Sequence, residues 1–257
     1  MKWNTKITKV EPNHLVTRGY RQEDLIGNKP FAHIVYLLLK GELPTKEYGQ
    51  MMDAILSATI DHGVTPPSSI AARTVASGKV PLPTAVAAGI LSIGDAHGGA
   101  IEKGAKYFQE AIKRMHNENL NIEEISEILV KESIESKVRI LGFGHRYHKS
   151  DPRTKKLYFL ADKLKISREH ISLSKAIEKS FDQIANKKLP INVDGAIAAI
   201  ISDMDFDWRL GKAFFLIGRT AGLTAHVYEE QSDFKPMRKI CDIDCIYNGP
   251  EERDLKF

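Results

Sequence analysis

Apolar residues return at helical spacing along most of this chain. Over 31–39 the pattern predicts a helix with Phe31, Ile34, Val35, Leu38 and Leu39 on its inward face, stopped by Gly41 and Pro44. Over 47–59 it predicts a second, with Met51, Met52, Ile55 and Leu56 inward. Recurrence at i, i+3, i+4 and i+7 is what one buried stripe of an α-helix requires. Prolines 66, 67, 81 and 83 bracket a helix of small residues over 68–77, and alanine and glycine crowd the next, over 84–93. Amphipathic helices follow over 98–116 and 122–129. Asp151-Pro152 opens another, since aspartate caps free backbone N–H groups and proline is tolerated in a first turn. Three more are expected over 174–187, 193–202 and 208–228. Strand-like alternation is confined to the start, where Ile7, Val10, Leu15 and Val16 are separated by polar residues as in a short hairpin or arm, while 140–144 reads as a glycine-flanked loop or short strand. Little is left for sheet, and the expected fold is all-α.

At 257 residues the chain can form one large compact unit or a large unit with a smaller cap. Its 42% hydrophobic and 27% charged residues exclude disorder. The net charge of +4 is dispersed, which speaks to solubility and does not imply nucleic acid. The longest apolar run, 31–39, is interrupted by His33 and is too short for a bilayer. The opening Met1-Lys2-Trp3-Asn4-Thr5-Lys6 lacks the apolar stretch of a secretory signal, so a cytoplasmic location is expected. Cys241 and Cys245 suit that reducing compartment, and two thiols do not close a zinc site, so no metal is expected.

Candidate chemistry sits in four clusters: Asp61-His62-Gly63, Asp95-Ala96-His97-Gly98-Gly99, Gly142-Phe143-Gly144-His145-Arg146 and Asn192-Val193-Asp194-Gly195. Imidazole and carboxylate move protons near neutral pH, and glycine lets a reacting centre approach the backbone. Asp194 lies among Val193, Gly195, Ala196 and Ile197, apolar surroundings that would raise a carboxyl's pKa and let it act as an acid, although a helix-capping aspartate would look the same. His14, His33, His116, His148, His170 and His226 read as surface or core residues.

The order of these clusters resembles the citrate synthase family. The same resemblance covers Arg18-Gly19-Tyr20, the string from Tyr36 to Thr45, Asp151-Pro152-Arg153, the string from Lys187 to Asp194, and Ile217-Gly218-Arg219-Thr220-Ala221-Gly222, so that it runs from about Arg18 to Arg238. Within the family, the short 45–60 connection marks a trimmed relative, and Asp61-His62-Gly63 in place of Asp-His-Glu, Ser92-Ile93-Gly94-Asp95 before the histidine and Asn192-Val193-Asp194 continuing into Gly195 are similar to stand-alone citryl-CoA lyases and the module at the carboxyl end of ATP-citrate lyase.

That resemblance implies a large helical domain from about 1–115 and 200–257, a small inserted one from about 116–199, and a site in their cleft. It implies cleavage of citryl-CoA to acetyl-CoA and oxaloacetate, with His145 as base at the hydroxyl, His97 as donor to the enolate oxygen and Asp194 as the acid. His62, Arg153 and Arg219 would hold the oxaloacetate end, and Lys235 or Arg238 would reach a neighbouring subunit's site. Gly142, Phe143, Gly144, Arg146 and Lys188 would meet coenzyme A. A homodimer or dimer of dimers is implied, with a citryl-CoA synthetase as supplier in a reductive citric acid pathway. The alternatives are a short citrate or 2-methylcitrate synthase and a non-catalytic coenzyme A-binding protein.

Overall fold

The computed structural model describes residues 2–144, 151–186, 188–239 and 246–254. Strands β1 (Thr8–Glu11), β2 (His14–Thr17) and β3 (Tyr20–Arg21) form an antiparallel meander, Thr8 facing Thr17 and Val16 facing Arg21. The predicted hairpin is thus present with one further strand. Among the described residues, the elements after it are helices: α1 (Gln22–Leu25), α2 (Phe31–Lys40), α3 (Lys46–Thr59), α4 (Pro67–Ser77), α5 (Leu82–Leu91), α6 (Ala100–Asn117), α7 (Ile122–Ser136), α8 (Pro152–Lys163), α9 (Glu169–Ala185), α10 (Val193–Asp203) and α11 (Gly211–Asp233), the last preceded by a 3-10 turn, Trp208–Leu210.

Helix starts follow local chemistry. The side chains of Thr45, Asp151 and Asn192 accept hydrogen bonds from the backbone N–H of Tyr48, Arg153 and Gly195, and Asn121 and Glu124 form a reciprocal capping box. Each such cap is worth about 1 kcal/mol. α9 begins at Glu169, well before position 174, because the buried Asp203 carboxylate accepts from the N–H groups of Arg168 (2.7 Å), His170 (3.0 Å) and Ile171 (3.2 Å).

The inward face of α2 differs from the expected one. Ala32, Val35, Tyr36 and Leu37 are buried, whereas Phe31 is 72% and Leu38 36% exposed. Tyr36 supplies the packing force here, its ring lying edge-on to Phe206 at 5.3 Å.

The hub is α10, buried at every position from Gly195 to Asp203 and packed on α6, α8 and α9. A helix apolar all round belongs in the interior. Its Ile197, Ile200 and Ile201 are fully buried, each worth roughly 1.5–3 kcal/mol. A second, smaller cluster of Ala72, Ala76, Ala85, Val86, Leu223 and Val227 fastens α4 and α5 to α11. Asp194, in the first turn of α10, is therefore mounted on the most constrained element of the fold. Among the described residues, no helix is long and apolar enough to cross a membrane.

Candidate active site

Four connections between helices meet around one cavity of about 360 Å³: the turn after α3, the loop between α5 and α6, Gly144, and the entry to α10. Its walls include His62, His97, Gly144, Arg153, Asp194 and Arg219 from the predicted set, together with Ser68's neighbour Pro67, Asp95, Asn192 and Phe215. Residues scattered over more than 150 positions of sequence thus converge. His145 and Arg146 lie outside the described residues.

A backbone contact lies next to the residues that line the cavity. Gly142 and Gly195 approach so closely that a Cβ on Gly195 would fall 2.4 Å from the Gly142 carbonyl oxygen. Around this contact, Asn192 N donates to Gly142 O (2.9 Å), Gly144 N donates to Pro190 O (2.7 Å), and Asn192 Nδ2 donates to Gly144 O (2.8 Å). The glycine loop is stitched to the turn that presents Asp194, and Gly142 itself is buried under that turn.

Burial raises the Asp194 carboxyl above the usual carboxylate range, against the opposing pull of Arg153 and then Arg219, while Asp151 adds to the rise. Desolvation disfavours the charged form, so the group is biased to hold a proton. His97 is biased the other way: burial, then the nearby Arg219 cation, lowers its pKa and keeps the imidazole neutral. Its Nε2 lies 2.8 Å from Ser68 Oγ, a fully buried hydroxyl, and its ring meets Phe215 edge-on at 5.5 Å. Gly98 makes that placement possible, with φ at +82° and no room for a Cβ, which would fall 2.7 Å from Phe215 Cδ1.

Two arginines face the same space. Arg219 is 2% exposed, donates from Nε to Thr59 O (3.0 Å) and lies 4.6 Å over the Phe215 ring. Its Nη1 is buried without a hydrogen-bond partner among the described residues. A buried donor left unmade is costly, and an incoming carboxylate would satisfy it. Arg153 is held as a fork by Asp151, with Nε at 3.1 Å and Nη2 at 2.8 Å from the carboxylate oxygens. On the rim, Lys212 and Lys103 hold the Asp95 carboxyl well below its ordinary range.

The remaining predicted residues lie elsewhere. Arg238 donates to Glu230 and stacks on Phe234 at 4.4 Å, and Lys235 is exposed in the segment after α11; neither lines this chain's cavity. Lys188 is exposed. Phe143 and Gly144 line a second hollow of about 550 Å³, with Lys137, Val138 and Arg139 on its wall, and Gly144 belongs to both cavities. Ser68 and Phe215 carry no mark in the local sequence, because their partner His97 lies 29 positions from Ser68 and more than a hundred from Phe215. Among the described residues, no group of three or more His, Cys, Asp or Glu could hold a metal ion.

Comparison with known proteins identifies the family and the fold. The model of the citrate synthase C-terminal domain matches residues 45–240. The citrate synthase of Saccharolobus solfataricus is 27% identical over 255 residues, a match covering 93% of this chain and 64% of that enzyme, and citrate synthase 2 of Bacillus subtilis is 28% identical, with 55% of its length covered. The chain thus spans little more than half to two thirds of these curated relatives. The solved citryl-CoA lyase of Hydrogenobacter thermophilus superposes with a TM-score of 0.91 at 48% identity, covering 99% of this chain and 97% of that one. ATP citrate lyase of Methanothrix soehngenii, solved with citrate and coenzyme A, shares the fold at a TM-score of 0.83 and 23% identity, with 42% of its chain covered. A family model that matches most of the chain, and full-length structural likeness at 48% identity, make this protein a member of the citrate synthase family.

Proposed function

We propose that this protein cleaves citryl-CoA to acetyl-CoA and oxaloacetate. The observation that carries the reading is one cavity lined together by Asp194, His97, Arg153 and Arg219, in which burial pushes the Asp194 carboxyl up and the His97 imidazole down. Full-length likeness to the citryl-CoA lyase of Hydrogenobacter thermophilus supports it.

In this reading Arg219 and Arg153 receive carboxylates of the citryl group, and His62 holds the end that becomes oxaloacetate. His145 takes the proton of the tertiary hydroxyl. The O–H electron pair then forms the ketone as the adjacent carbon–carbon bond breaks, and that bond's pair passes into the thioester enolate. His97 donates a hydrogen bond to the enolate oxygen, its Nε2 engaged by Ser68, and Asp194 delivers its proton to the enolate carbon. Net proton balance is zero: one leaves the hydroxyl and one reaches the methyl group. A positioned acid or base contributes about 10²- to 10⁴-fold in rate.

The coenzyme A portion fits the hollow next door, which shares Gly144 with the reaction cavity and offers Lys137 and Arg139 for phosphate groups. A homo-oligomer belongs to the same reading, and exposed Ile70 (53%) and Leu91 (85%) on α4 and α5 give it apolar surface to bury. A cytoplasmic setting with a citryl-CoA synthetase as supplier completes it.

The test is addition of the purified protein to citryl-CoA with malate dehydrogenase and NADH. NADH loss that Asp194→Ala and His145→Ala each reduce by at least 100-fold supports the lyase. Release of citrate and free coenzyme A in place of oxaloacetate would move the chain to the condensing, hydrolytic branch of its family, which the Saccharolobus relative represents.

A further inference from the structure

Behind the cavity, one face of α11 grips the turn that carries His62. Arg219 bonds Thr59 O, and at Gly222 the helix passes so close that a Cβ would fall 2.2 Å from Ile60 O. One turn further on, His226 Nε2 lies 2.9 Å from Asp61 Oδ1, while Asp61 Oδ2 accepts the N–H of Gly63 at 2.9 Å. Asp61 thus clamps both sides of His62.

The hydrogen-bond donors fix the tautomer of His226. Its Nδ1 lies 3.3 Å from Arg73 Nη1, and a guanidinium can only donate, so Nδ1 accepts and Nε2–H donates to Asp61. Arg73 is oriented in turn: its side chain is 8% exposed, with Nε 2.8 Å from Glu230 Oε2 and Nη1 3.2 Å from Glu229 Oε2. Glu230, with no exposed side-chain surface, also accepts from Arg238. A chain of defined donors therefore runs from the segment after α11, through a buried arginine, to the loop at the cavity.

We infer that His226 is a positioning residue for His62, acting through Asp61. The inference rests on the proposed reaction for its catalytic consequence, but not for its structural one. Among the described residues, the hydrogen-bond and ion-pair partners of His226 are Asp61, Arg73 and Glu229, none of them assigned to proton transfer; its effect is to hold the 61–63 loop in the conformation that turns His62 toward the substrate.

The experiment combines hydrogen exchange at Gly63 N–H with steady-state kinetics in His226→Ala, His226→Asn and His226→Gln. Glutamine places an amide donor at the Nε2 position and so keeps the bond to Asp61, whereas asparagine, which matches only the Nδ1 end, is too short to reach Asp61. Losing a hydrogen bond to a charged group predicts roughly tenfold or more in each readout. Gly63 should exchange that much faster, and kcat/KM for citryl-CoA should fall comparably in the alanine and asparagine variants, with glutamine restoring both. Wild-type exchange and kinetics in a folded His226→Ala protein would overturn the inference, as would a folded glutamine variant as impaired as alanine. If His226→Ala fails to fold, the asparagine and glutamine pair decides. If the wild type leaves citryl-CoA intact, the proposed reaction falls, and the exchange pattern still decides whether His226 positions the loop.

Discussion

Gly195→Ala separates helix stability from site geometry. Position 195 lies inside α10 with an ordinary helical backbone, so alanine by itself would favour the helix by about 1 kcal/mol. The added Cβ, however, would fall 2.4 Å from Gly142 O and 2.9 Å from Gly142 C. Both are backbone atoms, in a loop stitched down by the Asn192 N to Gly142 O and Gly144 N to Pro190 O bonds, so no flexible side chain can swing away. Overpacking of this kind costs roughly 1–3 kcal/mol. Set against the helical gain, the net loss is up to about 2 kcal/mol, read from urea unfolding at fixed m-value. The larger effect is on catalysis. Asp194 is the adjacent residue, and relief of the clash must move it or the 142–144 loop by several tenths of an ångström. A displacement approaching 1 Å costs on the order of 100-fold in rate. The expected result is a folded protein, slightly destabilised, with kcat lowered by one to two orders of magnitude. A variant as stable as or more stable than wild type, with undiminished kcat, would refute the claim that the Gly142–Gly195 contact sets the acid's position.

Asp194→Asn should trade activity for stability in a pH-dependent way. Because the folded pKa is raised, the stability linked to Asp194 is full below the unfolded value of about 3.9 and is lost as pH rises through the folded value, so the asparagine variant should melt higher at pH 8 and the advantage should vanish toward pH 4. Its cleavage rate should fall at least 100-fold, and wild-type activity should decline as pH rises through the same folded pKa. Arg219→Lys loses the Thr59 bond, the stacking on Phe215 and the unpartnered Nη1 donor; roughly 1.5–3 kcal/mol of lost charged hydrogen bonding predicts about 10- to 150-fold weaker oxaloacetate binding by calorimetry. Lys137→Ala combined with Arg139→Ala should raise KM for citryl-CoA about tenfold with kcat unchanged, and the difference from wild type should shrink in high salt.

Helix identity was legible wherever the signal was local. Asp151, Asn192 and Thr45 cap the helices they precede, and the inward set Met51, Met52, Ile55 and Leu56 of α3 is buried as its spacing requires. The face of α2 was not legible, because 34–39 is an unbroken apolar run with no polar side to fix the phase; Tyr36, outside the expected inward set, is buried, and Phe31 is exposed. α7 continues to Ser136 through a mostly charged and polar stretch in which Val130 and Ile134 are the apolar residues, too few to mark the extension beyond 129. The early start of α9 depends on Asp203, more than thirty residues downstream. The same distance argument applies to the site. Motifs brought His62, His97, Arg153, Asp194 and Arg219 to attention, but Ser68 and His226 owe their roles to partners 29 and 165 positions away. Their local sequence, a serine after two prolines and a histidine in an amphipathic helix, carries no mark of that use.

The central claim is that the enzyme breaks a carbon–carbon bond and places a proton on the resulting carbon. The most direct measurement is mass spectrometry of the products from citryl-CoA turned over in D₂O. The account predicts oxaloacetate and acetyl-CoA in equal amounts, with at least one deuterium in the acetyl methyl group delivered from the exchanged Asp194 carboxyl. Citrate and free coenzyme A, with no deuterium incorporated at carbon, would contradict it.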